Sequence, residues 1–231
     1  MAQGGDGRGR KTLAGAGREA GRPRVVVTRA EEQAGPLARR LEELGCEIVL
    51  CPLIRIEPLG DEPLDLGRWD WVVVTSPNGA RELGRRLVGA PRHFAAIGPG
   101  TAEALRAEGY EAELVPRVHT QEGLRDELPP GRALLAAAEG ARRDVLAADF
   151  LPLYRTIELV PTAPPDGDLV VLASPSAARA LAATGARIPA LAIGPQTAAA
   201  ARERGLEVAA VAETHDLDGL VAAVEGLLAS R

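Results

Sequence analysis

Aromatic side chains are nearly absent: two Trp, two Tyr and two Phe make up 3% of the 231 residues. Single-stranded nucleic acid is held by stacking its bases on such rings, and this chain lacks that platform. Cysteine is almost as rare. Cys46 and Cys51 flank one predicted strand at odd spacing, which turns their side chains to opposite faces and prevents a local bridge. Two thiols without a disulfide framework suit a reducing compartment, so a cytoplasmic protein is expected. No run approaches the ~20 apolar residues of a membrane span, and no membrane association is expected. The first 22 residues hold seven Gly and no apolar stretch. They read as a disordered tail, neither a secretory signal nor an anchor. No cluster of the three His, the two Cys and the carboxylates has metal-ligand spacing, so no metal site is expected. A Gly-x-Ser-x-Gly elbow is missing too, which removes one common route to a serine nucleophile.

What the chain does have is apolar mass, 46% of residues against 26% charged, enough for a real core built from Ala, Val, Leu and Ile. Its length suits one large domain or two of about 100 residues. The net charge of −5 is uneven: Arg8, Arg10, Lys11, Arg18, Arg22 and Arg24 outweigh Asp6 and Glu19, so the chain after residue 24 carries −9. An acidic body argues against nucleic acid as the partner. An anionic ligand would have to be held by local features rather than by the overall field.

An internal duplication organises the sequence. Asp70–Leu83 reads DWVVVTSPNGAREL and Asp168–Leu181 reads DLVVLASPSAARAL, an offset of 98. Further on, AAIGPGTAEALRAEGYEAELVPRVHTQEGL is matched by LAIGPQTAAAARERGLEVAAVAETHDLDGL at an offset of 96. Two copies are too few for a solenoid and imply two similar domains. Each copy alternates strand and helix: Trp71–Thr75 and Leu169–Ala173 end at Ser-Pro, while Phe94–Ile97 and Ala190–Ile193 end at Gly-Pro-x-Thr. Each Gly-Pro-x-Thr helix should stop at Gly109 or Gly205, before a third strand over Glu111–Val115 or Glu207–Val211. This grammar predicts an α/β fold with parallel, doubly wound sheets. Before the first copy, Arg24–Thr28, Glu32–Leu44 and Cys46–Leu50 repeat the strand–helix–strand pattern, with Gly45 as the helix stop. Cys51–Pro58 and Leu151–Pro161 are Pro-punctuated and extended, as exposed linkers are. The predicted arrangement is a discontinuous first domain (23–50 plus 162–231), linker strands (51–58 and 151–161) and a second domain (59–150).

Four strand-to-helix junctions carry small polar residues: Ser76-Pro77-Asn78, Gly98-Pro99-Gly100-Thr101, Ser174-Pro175-Ser176 and Gly194-Pro195-Gln196-Thr197. In doubly wound sheets such junctions line the crevice at the carboxyl ends of the strands, where helix N-termini present free N–H groups to anions. Each could equally be an N-cap and no more. The Gly98 turn resembles a dinucleotide fingerprint, but its copy replaces the second glycine with Gln196, so nucleotide binding is not expected. His93 reads as a strand-boundary residue, and His119 and His215 are duplicates that suit a turn better than catalysis. Tyr154, in the return linker, is a phenol able to donate a proton at neutral pH, or else a packed linker aromatic.

The ordered set of VVVTR at Val25–Arg29, the two Ser-Pro blocks, the two IGPxTA blocks and PLYRT at Pro152–Thr156 resembles the uroporphyrinogen-III synthases, from about Arg24 to the C-terminus. The resemblance implies two α/β domains joined by a two-stranded linker, with the first discontinuous. It implies a monomer acting on hydroxymethylbilane, a small-molecule polycarboxylate, by orientation and without a cofactor. It implies Tyr154 as the acid for departure of hydroxide. Ser76, Asn78, Thr101, Arg143, Ser174, Ser176 and Thr197 are implied as substrate-binding residues. The stretch from Glu139 to Tyr154 is shorter than the resemblance leads one to expect, so the second domain is expected to lack one edge strand. Two other readings share the architecture: a non-catalytic module that senses a tetrapyrrole or small anion, and a hinged solute-binding protein.

Overall fold

Runs of β-branched and small apolar residues become strands buried on both faces, and the Pro that follows each junction opens a helix. The computed structural model describes residues 21–229; the tail expected over residues 1–22 lies outside them as far as residue 20. In chain order the elements begin with β1 (Arg24–Val27), α1 (Glu31–Glu43), β2 (Glu47–Leu50), β3 (Ile54–Pro58), β4 (Leu64–Asp65) and β5 (Trp71–Val74). Then come α2 (Pro77–Arg86), β6 (Leu87–Gly89), β7 (His93–Ala96), α3 (Pro99–Ala107), α4 (Gln121–Glu127), β8 (Ala133–Ala138) and β9 (Asp149–Glu158). The chain closes with β10 (Leu169–Leu172), α5 (Pro175–Ala183), β11 (Ala190–Ala192), α6 (Pro195–Glu203), β12 (Val208–Val211) and α7 (Leu217–Ala229).

Two five-stranded sheets result, ordered β12-β11-β10-β1-β2 and β3-β9-β8-β5-β7, with a small β4-β6 pair beside the second. The first is parallel throughout. Strands at its two chain ends meet at β1–β10, where Val25, Val26 and Val27 pair Leu169, Val170 and Val171, so this domain is discontinuous. Helices cover both faces. Val26, Val170 and Leu172 pack with α5 and α6 residues, while Val25, Val27 and Val171 pack with Leu37 and Leu41 of α1 and Leu220 and Val224 of α7. The second domain repeats the plan, with Val72, Val74 and Leu134 against α2 and α3, and Val73 and Leu135 against Leu124 of α4. Gly109 and Gly205 follow α3 and α6 with φ of 89° and 76°, the left-handed stop that the sequence announced.

Three departures have physical causes. First, β8 was not anticipated: ALLAAA has weak strand propensity, yet it fills the position of β1, paired to β5 and buried on both faces. Second, the loss of an edge strand expected from the short Glu139–Tyr154 stretch does not occur there. The first half of β9 pairs parallel with β8, as β2 pairs with β1, and what is missing is a counterpart of α1. In its place the coil between Ala138 and Asp149 drops Leu146 onto the Leu135 face as a single buried anchor. Third, Glu111–Val115 forms only an isolated bridge, Ala95–Leu114, whereas its copy becomes β12. There the Glu113 carboxylate takes the Phe94 N–H at 2.7 Å, a bond that the ladder would otherwise make.

The second half of β9 turns to β3 and pairs antiparallel with it, from Ile54–Glu158 to Pro58–Tyr154. This ribbon lies between the cores. Leu53 and Ile54 belong to the first core, Leu153 and Tyr154 to the second, and Ile56 packs against both.

Candidate functional site

Tyr154 occupies the residue of β9 where the strand changes partner. Its register with β8 shifts between Ala137–Pro152 and Ala138–Tyr154, which leaves Leu153 as the extra residue of a bulge. Such bulges re-aim side chains and recur beside active sites. Here the bulge directs the phenol at the α2 junction, where its hydroxyl lies 2.8 Å from Ser76 Oγ. Tyr154 is 5% exposed, so the phenol is packed rather than open to solvent. Burial pushes its pKa above the ordinary phenol range, and the Ser76 hydrogen bond opposes that in smaller measure. The group therefore stays protonated at neutral pH and is a competent hydrogen-bond donor.

Both junction serines cap their helices. Ser76 Oγ accepts from Gly79 N at 3.0 Å and Ser174 Oγ accepts from Ala177 N at 3.2 Å. Only the first is also joined to a phenol. At the glycine junctions no side chain caps the helix, and Thr101 and Thr197 are buried within the first turns, at 4% and 3% exposure. Ser176 Oγ accepts from Arg179 Nη2 at 2.8 Å, and Arg179 Nε in turn bonds Glu158 of the linker at 2.7 Å.

The junctions of the two domains meet. Gln33 Nε2, in the first turn of α1, donates to Asn78 Oδ1, in the first turn of α2, at 2.8 Å. Arg81 Nη1 donates to the same oxygen at 3.2 Å. On the other side of the crossing, a Cβ built on Gly100 would stand 3.8 Å from Asp216 Cβ, so the start of α3 abuts the turn before α7. The carboxyl ends of both sheets thus share one crossing, and this gathers Ser76, Asn78 and Tyr154 there.

Arg143 is placed differently. Its guanidinium stacks 4.0 Å over the Phe150 ring and donates to Glu139 O at 3.3 Å, while its neighbour Arg142 pairs with Glu122. His119 and His215 pack on Gly98 and Gly194, with His215 Cδ2 3.0 Å from a Cβ built on Gly194. They serve the Gly-Pro turns by contact. Two cavities, of about 400 and 300 Å³, lie at the amino ends of the strands, beside Trp69 and Asp149 in one domain and Val25 and Leu227 in the other. Both are remote from the crossing.

Sequence reasoning missed Gln33, Arg81 and Arg29. Arg29 follows β1 directly, at a carboxyl end equivalent to the other junctions, and that position was the available signal. Its Nε is buried without a hydrogen-bond partner among the described residues, and burial, then the charge of Arg81, lower its pKa.

Comparison with known proteins adds to this geometry. The profile of the family described as uroporphyrinogen-III synthase HemD matches residues 35–222, from α1 into α7. A putative uroporphyrinogen-III synthase of Methanocaldococcus jannaschii is 29% identical over 150 residues, 58% of this chain and 62% of that protein. The uroporphyrinogen-III synthase of Synechococcus elongatus is 27% identical over 249 positions, 87% of this chain and 94% of that one. A crystal structure of a mutant uroporphyrinogen III synthase from Thermus thermophilus superposes with a TM-score of 0.57 at 19% identity, covering 90% of this chain and all of that one. This last likeness concerns the fold. The family match spans the second sheet, the first sheet except β1, and both copies of the repeat, and the chain belongs to the uroporphyrinogen-III synthase family.

Proposed function

We propose that the protein converts hydroxymethylbilane to uroporphyrinogen III, with loss of water and inversion of the terminal ring. The observation that carries this reading is the buried, neutral Tyr154 phenol fixed to Ser76 where the two domains meet, in a chain of this family. The substrate is a linear tetrapyrrole bearing acetate and propionate groups. Its terminal hydroxyl leaves as water once protonated, giving an electrophilic azafulvene. The far ring attacks through its substituted carbon to give a spiro intermediate, which fragments and recloses with that ring inverted. Water is lost and bonds are exchanged with no net oxidation or reduction, so acid help and geometry suffice without a cofactor, as a hydro-lyase.

In this reading Tyr154 supplies the proton to the leaving hydroxyl, and Ser76 holds the phenol in line until the substrate arrives. General acid help of this kind is typically worth about 10²–10⁴-fold. Orientation does the rest: the bilane can close unaided to the unrearranged isomer, so the enzyme must hold it where attack through the substituted carbon is faster. The free helix N-termini at Gly98 and Gly194 are suited to receive side-chain carboxylates. Incubation with enzymatically generated hydroxymethylbilane, followed by chromatographic separation of the type I and type III isomers, tests the reading. A type III excess is expected. Type I alone, at the uncatalysed rate, would overturn it and leave a binding module.

A further inference from the structure

Carboxylates outnumber cations in this chain, 32 to 27, so an arginine without an acidic partner is not short of candidates. Elsewhere in the first domain Arg24 pairs with Glu47 and Asp166, and Arg40 pairs with Asp218. Arg29 has no ion pair among the described residues, although it is half-buried and its Nε is shut off from solvent with no hydrogen-bond partner. Glu31 and Glu32, two and three residues on, are exposed. Across the domain crossing stands a second cation, Arg81, near enough for its charge to act on Arg29 and bonded to the neutral Asn78 oxygen rather than to a carboxylate. Gln33, four residues after Arg29, and Arg81 donate to the same Asn78 oxygen, so cations of opposite domains converge on this contact, and neither Arg29 nor Arg81 has an ion pair among the described residues.

We propose that Arg29 and Arg81 form a two-sided clamp for one ligand carboxylate, so that an acidic group bound there holds the domains closed over the Gln33–Asn78 contact. A carboxylate fits because a guanidinium presents parallel N–H donors that match its two oxygens, and because one negative charge relieves both the repulsion and the burial of Arg29. The clamp explains why the crossing is fastened by neutral amides: a protein carboxylate at residue 78 would fill the site permanently. Identifying the carboxylate as one borne by hydroxymethylbilane rests on the function proposed above; the clamp itself does not.

The test titrates wild type, Arg29→Gln, Arg29→Lys, Arg81→Gln and the double Gln variant with uroporphyrin, the oxidised macrocycle with an acetate and a propionate on every ring. Binding is read by fluorescence quenching and closure by the radius of gyration in solution scattering. Arg29→Gln is expected to weaken binding about ten-fold or more, the usual size of a charge-assisted hydrogen-bond loss, and to abolish the contraction on binding. Arg29→Lys keeps the charge without the fork and should fall between. The double variant should be weaker by less than the two single losses combined, because both groups hold one carboxylate. Without ligand, Arg29→Gln should melt no lower than wild type, since it removes a buried unpaired charge. A lower melt that Arg29→Lys restores, with affinity within about two-fold of wild type, would make Arg29 a structural cation and sink the clamp. A wild type that makes type III product while Arg29→Gln binds equally well leaves the function and removes the clamp. A wild type that neither cyclises the bilane nor binds uroporphyrin, but is stabilised by citrate only when Arg29 is present, removes the function and leaves the clamp.

Discussion

The hydroxyl of Tyr154 lies 2.8 Å from Oγ of Ser76, across 78 residues of sequence, and Ser76 Oγ also accepts the Gly79 N–H that caps α2. One serine therefore fastens the return strand of the linker to the start of a helix that faces the other domain. The equivalent serine, Ser174, caps α5 with no phenol attached. The duplication supplied two similar junctions, and the linker tyrosine made them different.

Replacing Tyr154 with Phe should slow type III formation toward the low end of the 10²–10⁴-fold range, about 10²-fold, because water or a substrate carboxyl can substitute in part. The isomer ratio of the residual product should stay with type III, since the phenol acts on departure and not on folding of the bilane. Steady-state rates and isomer chromatography read both. The pH dependence has a definite sign. Burial raises the folded phenol's pKa, so the unfolded phenol ionises first, near ~10, and the folded state holds its proton longer. Wild-type stability should fall relative to Tyr154→Phe as pH rises above ~10, and the gap in urea midpoint between them should narrow there.

Ser76→Ala and Ser174→Ala should differ although both remove a cap. Losing the cap alone costs about 1 kcal/mol, which is the whole effect expected at Ser174. At Ser76 the buried Tyr154 hydroxyl also loses its partner, which adds about 1–3 kcal/mol. Urea unfolding of both variants and of Ser76→Ala with Tyr154→Phe checks this. The double variant should be less destabilised than the sum, and equal costs at the two serines would contradict the coupling.

The sheet and its junctions were legible because the local signals agreed with the tertiary outcome: VVV runs formed strands, Ser-Pro and Gly-Pro opened helices, and Gly109 and Gly205 closed them. β8 was not legible, because ALLAAA becomes a strand through burial between β5 and β9 rather than through propensity. Nor was the exchanged element: residues 139–148 are too short for a helix like α1, but which element is dropped depends on β9 reaching β8 through a bulge. Tyr154 could be singled out by its chemistry and Ser76 by its cap, but their contact could not. Gln33 and Asn78 meet over 45 residues and the charge of Arg81 acts on Arg29 from the other domain, so no periodicity within one element reports them.

Gly219 and Gly226 occupy one helix, α7, and should respond oppositely to Ala. A Cβ on Gly219 would stand 2.0 Å from Thr214 O and 2.5 Å from Thr214 Oγ1, so the backbone entering the helix would have to move. The duplicate, Gly123, meets Val118 O at 2.0 Å, which gives the repeated Gly-Leu a packing reason. Gly219→Ala should cost about 3 kcal/mol, at the upper end for overpacking. A Cβ on Gly226 meets nothing within 4 Å, so Gly226→Ala should gain up to about 1 kcal/mol from helix propensity. Thermal melts of the two variants decide it.

Asn78→Asp places a permanent carboxylate where Gln33 and Arg81 already donate to an amide oxygen. An aspartate keeps an acceptor for both and adds a charge facing Arg81. The pair is partly exposed, so the gain in stability should be modest, about 0.5–1 kcal/mol, and should shrink as salt is raised. Turnover should fall while stability rises, because the built-in anion holds the domains together and competes with the substrate's own carboxylate. Charge removal separates this from a steric effect: Asn78→Asp combined with Arg81→Gln should lose the added stability, whereas a purely steric change would leave it. Melting temperatures at low and high salt, with rates of type III formation, measure both sides. A variant that is no more stable yet equally active would show that no net positive charge gathers at Asn78.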